Sequence, residues 1–215
     1  MSNISDNFTL TLGRQFGSGG RKIARKVADM LGIEFYDKNL IAIAAKESGL
    51  SENLFDGIDE KPTNSLLYSL VMGLQSDRSS SFYRYGDILN SDTIFRIQSQ
   101  VIEDLVSDKS CVVVGRCSDY VLRNKKNVLN IFIHADEEFK LERVMRIYKQ
   151  SEKEALETMK KTDKKRSNYY NFYTNQEWGN ALNYHLSLNS AALGIDDSAK
   201  LICDFVKMKL SLIHI

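Results

Sequence analysis

The chain has 215 residues, 43% hydrophobic and 27% charged, with a formal net charge of +1. That length suits one domain with a sizeable core, and so small a charge excludes a global field recruiting nucleic acid or an anionic membrane. Three cysteines, one proline and 12 glycines exclude a disulfide-stapled or low-complexity chain, and the absence of a bilayer-length apolar run or a signal peptide points to a soluble cytoplasmic protein.

Residues 8–12 read as a short apolar strand, followed by glycines at 13, 17, 19 and 20. A helix comes next, with Ile23, Val27, Met30 and Leu31 on one face and Gly32 as its stop. Residues 33–36 read as a second strand, completing the strand, glycine loop, helix, strand unit of parallel sheets. A helix is expected over 39–46, another over 63–74 entered at Pro62, and a polar, aromatic-tipped loop over 76–85. Ile94, Ile97, Val101, Ile102 and Leu105 then mark a helix face. Cys111, Val112, Val113 and Val114 form an unbroken apolar run, as in a central strand covered on both faces, ended by Gly115 and Arg116.

Residues 129–134 read as another strand, with Asp136 as the expected cap of a helix carrying Leu141, Val144, Met145 and Tyr148. Ser151 and Glu154 have capping-box spacing. A basic and aromatic stretch spans 160–178, a last short strand 186–188, and Ile202, Phe205 and Val206 mark a final helix. The alternation predicts an α/β fold: a doubly wound parallel sheet of about five strands.

The segment from Gly13 to Lys22 is the candidate phosphate loop. Its backbone N–H groups, at a helix N-terminus, suit an anion, and Gly17, Ser18, Gly19, Gly20, Arg21 and Lys22 are the candidate nucleotide-binding residues. The strict G-x-x-x-x-G-K-[ST] pattern is not met: Arg14 replaces the first glycine, Gly20 the lysine and Arg21 the hydroxyl. Arg14, Arg21 and Lys22 are candidate replacements for the missing charge. A tight turn with solvated basic residues is the alternative.

Four collinear segments resemble the cytidylate kinase-like family. They are the loop and helix running into Ile33-Glu34-Phe35-Tyr36-Asp37; Val112-Val113-Val114-Gly115-Arg116; Ile131-Phe132-Ile133-His134-Ala135 with Glu142-Arg143; and Leu188-Asn189-Ser190. The loop from Arg14 to Arg21 is similar to the family's Arg-x-x-Gly-Ser-Gly-Gly-Arg. The resemblance implies a P-loop NTPase-type kinase domain over 1–215, with a helical acceptor-side insert at about 50–106 and a lid at about 151–180. It implies phosphoryl transfer from ATP, with Mg2+, to a small-molecule nucleotide acceptor, as in nucleoside-monophosphate kinases. Asp37 and Arg116 would meet the acceptor. Lys164, Lys165 and Arg166 would act from the lid, alongside Arg14 and Arg21, as catalytic cations.

The bland alternatives are a capping role for Asp37 and a solvated helix face for 160–166. Tyr169, Tyr170, Phe172, Tyr173 and Trp178 suit core packing first and base stacking second. His134, His185 and His214 are scattered and make no metal site. The rival functions are a non-catalytic nucleotide-binding module, favoured by Gly20 in the lysine position, and a nucleic-acid-binding protein, disfavoured by the near-neutral charge.

Overall fold

The computed structural model describes residues 7–37 and 91–211. The helices expected over 39–46 and 63–74 and the loop over 76–85 lie outside these described residues. The described strands are β1 (Thr9–Arg14), β2 (Glu34–Tyr36), β3 (Cys111–Val114), β4 (Val128–His134) and β5 (Leu186–Asn189). They pair in parallel in the order β2-β3-β1-β4-β5. The described helices are α1 (Gly20–Leu31), α2 (Ser91–Leu105), α3 (Ser118–Val121), α4 (Glu137–Tyr148), α5 (Glu152–Thr174) and α6 (Ser190–Ser211).

Alternation along the strands divides the core. Leu10, Leu12, Val112 and Val114 face α1 and α6, packing with Ile23, Val27, Ile202 and Val206. Cys111 and Val113 face the other way, with Val101, Ile102 and Leu122. Both faces of the central strands are therefore covered, the doubly wound arrangement expected. Full burial of each such side chain contributes about 1.5–3 kcal/mol. A third, small core between α4 and α5 joins Val144, Ala155 and Met159 with Phe16 from the loop.

Two local expectations change. Strand β1 runs past Leu12, because the parallel pairing with β4 continues through Gly13 and Arg14 to Phe132 and Ile133. Arg14 is therefore a strand residue whose side chain is aimed by the sheet. Asp136 stands at the N-terminus of α4 but makes no side-chain cap; its carboxylate accepts from Asn189 Nδ2 at 2.9 Å. The capping box at Ser151 and Glu154 forms in full and starts α5, a continuous helix of 23 residues. Among the described residues, no helix is long and apolar enough to cross a membrane.

Candidate active site

The glycine loop turns between β1 and α1 at the carboxyl end of the sheet, where open α/β sheets bind ligands. Gly17 and Gly19 take φ of 82° and 79°, which a Cβ disfavours. Gln15 N–H donates to the Ile133 carbonyl at 2.9 Å, and its Oε1 accepts from Ala135 N–H and Lys140 Nζ. The Ser18 hydroxyl is buried: it donates to the Gln15 carbonyl at 2.8 Å and accepts from Gly20 N–H at 3.3 Å. Ser190 Oγ lies 2.6 Å from the Ser18 carbonyl and 3.1 Å from that of His134, latching the loop to the start of α6. Helix α6 breaks at Gly194, where φ is 74°, and the next residue, Ile195, covers Gly19.

Arg14 occupies the volume that Gly20 vacates. A Cβ on Gly20 would stand 2.6 Å from Arg14 Cβ and 3.2 Å from Ile133 Cβ. The Arg14 side chain then extends to Gly115, where a Cβ would lie 2.2 Å from its Nη1. Two glycines on different elements thus make room for one arginine.

Arg116 follows in the unusual turn after β3. Gly115, Arg116 and Cys117 take φ of 77°, 61° and 53°, three consecutive left-handed residues. Each non-glycine member costs roughly 1–2 kcal/mol, a strain that structure keeps mainly at functional sites. Burial lowers the Arg116 pKa to about 10, partly offset by Tyr169 and Asp37 and reinforced by Arg166. The group is a cation at neutral pH. Cys117 is buried, and burial pushes its thiol up, so it is not a reactive thiolate.

Arg21 Nε pairs with Asp37 Oδ2. From α5, Asp163 Oδ1 accepts the Phe16 N–H at 2.7 Å, and Arg166 Nη1 donates to the Arg14 carbonyl at 3.2 Å. Two cavities flank this arrangement. One, of about 460 Å³, opens over the loop and is lined by Gly17, Gly19 and Gly20 with Arg14, Arg21, Lys22, Arg25, Arg143 and Arg166. Its rim carries the half-exposed Ile147 and Tyr148. Among the described residues its lining contains no carboxylate. The other, of about 40 Å³, lies behind Arg116 and is lined by Asp119, Tyr170, Trp178 and Tyr184 among others. Arg14 and Arg166 are common to both.

The structure thus gathers Arg14, Arg21, Lys22 and Arg166 with Gly17, Gly19 and Gly20. Ser18 turns inward, Asp37 is held by Arg21, and Arg116 faces the smaller cavity. Lys164 is exposed and Lys165 partly buried, and neither lines either cavity. Tyr169, Phe172 and Tyr173 of α5 pack on neighbouring rings: Tyr173 stacks on Phe95 at 4.1 Å, while Trp178, beyond the helix, meets Phe132 edge-on at 5.3 Å. Arg143 and Ser190 stand in segments that carry the family resemblance, but sequence reasoning assigned no site role to Arg143, Asp163, Ser190 or Ile195. The only signal for Asp163 was an acid within a basic run.

The model of the cytidylate kinase-like family matches residues 9–192. No functionally curated protein matches the sequence. Among solved structures, an uncharacterized protein from Eubacterium ventriosum ATCC 27560 is 26% identical, with a TM-score of 0.68 over 94% of this chain and 99% of its own. A shikimate kinase from Bacteroides thetaiotaomicron is 12% identical, with a TM-score of 0.54 over 93% of this chain and 98% of its own. A gluconokinase from Sinorhizobium meliloti 1021 is also 12% identical, with a TM-score of 0.54 over 96% of this chain and 95% of its own. The last two show a shared fold.

Magnesium, which the family resemblance implies, meets an unsuitable donor set. Arg21 stands where the loop hydroxyl belongs, Ser18 is turned inward, Asp37 is paired with Arg21, and Asp163 holds a backbone N–H. Among the described residues no three acidic, histidine or cysteine side chains cluster. These residues do not fit a divalent cation held by the chain itself.

Proposed function

The chain belongs to the cytidylate kinase-like family, and on that premise we propose that it is an ATP-dependent phosphotransferase acting on a nucleoside monophosphate. The observation that carries this reading is the cationic cavity over the glycine loop, with Arg14 in the space of the missing lysine. Among the described residues, six cationic side chains and no carboxylate line it, a charge suited to a triphosphate and a transferring phosphoryl group.

In this reading the donor phosphates lie over Gly17, Gly19 and Gly20, where the backbone approaches closely and the N-terminus of α1 adds positive potential. Ile147 and Tyr148 offer an apolar rim for the donor base, beside Arg143. The acceptor phosphate lies toward Arg116, and Arg14 and Arg166 stand between donor and acceptor. Phosphoryl transfer requires positioning and charge neutralisation more than covalent chemistry, and clustered guanidinium groups held by the sheet and α5 supply both. A monophosphate brings its own oxygen nucleophile, so no general base is needed. The single domain would carry its acceptor-side insert over about 50–106 and its lid over about 151–180, with Lys164 and Lys165 acting only if α5 shifts.

The test is a screen of nucleoside monophosphates and small hydroxyl acceptors with ATP and Mg2+, following ADP release. Turnover with a monophosphate supports the reading. ATP binding without turnover on any acceptor favours a non-catalytic nucleotide-binding module.

A further inference from the structure

Phe16 is fastened to the α4–α5 hairpin by its backbone and its ring together. Its N–H donates to Asp163 Oδ1 at 2.7 Å. Its ring packs against Val144, Ala155 and Met159, stacks on Tyr148 at 5.4 Å, and carries the Arg166 guanidinium 5.7 Å above its face. The next residue, Gly17, rests on α4: a Cβ there would stand 3.0 Å from the Lys140 carbonyl oxygen. Arg166, one turn beyond Asp163, donates to the Arg14 carbonyl. Helix α5 therefore holds the two backbone groups on either side of Gln15, the carbonyl before it and the N–H after it.

A carboxylate is a costly choice at the edge of an anion site, because it repels the ligand. It is also poorly solvated. Burial raises the Asp163 pKa, against the opposing pull of the Phe16 N–H, Arg166, Lys140 and Arg14. A charge-assisted bond to a backbone N–H is strong and directional. The Phe16 peptide precedes the first left-handed residue of the loop, so its plane sets where the following N–H groups point.

We infer that Asp163 is a positioning residue of the phosphate loop, and that the loop and the α4–α5 hairpin form one unit in which nucleotide occupancy and seating of α5 are linked. The linkage rests on the loop being the nucleotide site, and by reciprocity each event favours the other. The opposite role is an autoinhibitory carboxylate that merely competes with phosphate.

The experiment compares the full-length protein with Asp163→Ala and Asp163→Asn. Asparagine keeps an oxygen acceptor for the Phe16 N–H and loses the charge. Without nucleotide, amide hydrogen exchange over residues 13–19 is expected to speed by about tenfold or more in the alanine variant and by less than about threefold in the asparagine variant. ATP affinity by calorimetry is expected to follow the same order, about tenfold weaker against less than about threefold. Unchanged exchange and affinity in the alanine variant overturn the inference, and tighter ATP binding by that variant establishes the competing carboxylate instead.

Should the alanine variant fail to fold, the wild type decides: saturating ATP is expected to slow exchange in α5 around residue 163, and unchanged exchange there with ATP bound overturns the linkage. A wild type that binds no ATP overturns the linkage together with the proposed function. The contrast between alanine and asparagine without nucleotide still decides the positioning role.

Discussion

Arg21 Nε lies 2.5 Å from Asp37 Oδ2, tying the first turn of α1 to the residue after β2. The aspartate is 5% exposed and the arginine 64%. The partly solvated cation holds a buried carboxylate near Arg116, whose charge that carboxylate also stabilises. Arg21 thus lines the larger cavity while its guanidinium reaches the residue after β2.

Arg21→Ala is expected to raise the acceptor KM by roughly five- to tenfold, about 1 kcal/mol, with a smaller change in the ATP KM. Losing the pair lets Asp37 turn toward Arg116 and compete with the acceptor phosphate. Initial rates with each substrate varied decide this. An effect confined to ATP would return Arg21 to the donor.

Arg14 and Gly20 should be exchangeable only as a pair. Gly20→Lys alone forces a side chain into the Arg14 stem, an overpacking cost of about 1–3 kcal/mol, and should abolish tight ATP binding. Arg14→Gly alone should weaken it by removing the cation. The double variant Arg14→Gly/Gly20→Lys rebuilds an ordinary lysine loop and should bind ATP better than either single variant. Additive losses in calorimetric titrations would count against Arg14 standing in for the lysine.

Gly19→Val should destabilise the fold as well as weaken ATP binding, because a Cβ would meet Ile195 Cδ1 at 2.2 Å and the backbone φ is 79°. Strain and overpacking together predict a loss of about 2–4 kcal/mol in denaturant titrations. Adding Ile195→Ala should recover stability without recovering ATP affinity. Full recovery of both would make the glycine a packing residue only.

Asp119 predicts a pH dependence of stability. Burial raises its carboxyl pKa, against the Tyr170 hydroxyl that donates to it at 2.6 Å. A carboxyl with a raised folded pKa binds its proton more tightly in the fold than in the unfolded chain. Its contribution therefore favours the fold at low pH and declines as pH rises from about 4 through the folded value. Denaturant titrations across that window should show the wild type losing stability relative to Asp119→Asn. Tyr170→Phe, which removes the donor, should steepen the loss. A difference that stays flat with pH would contradict this.

Three local signals in the sequence held, while the local cap expected at Asp136 did not. The unbroken apolar run of β3, the glycines between a strand and an amphipathic helix, and the Ser151 capping box each rest on neighbours a few residues apart, and each forms as expected. The site was legible only where it is local. Asp163 meets Phe16 across 147 positions and Ser190 meets Ser18 across 172, contacts that leave no periodic trace. Gly20 looked like a lost lysine because the arginine filling its space belongs to β1, whose extension depends on pairing with β4. Lys164 and Lys165 show the converse: a basic run marks a helix, but the helix phase selects Arg166 for the site.

The most direct test is transfer of label from γ-labelled ATP to nucleoside monophosphates, comparing wild type, Arg14→Ala and Arg14→Ala/Arg21→Ala. The account predicts a labelled nucleoside diphosphate from the wild type, with kcat lower by about tenfold or more in Arg14→Ala, on the order of 1.4 kcal/mol of transition-state stabilisation. A wild type that binds ATP and labels no monophosphate, or a double variant that keeps the wild-type kcat, would contradict it.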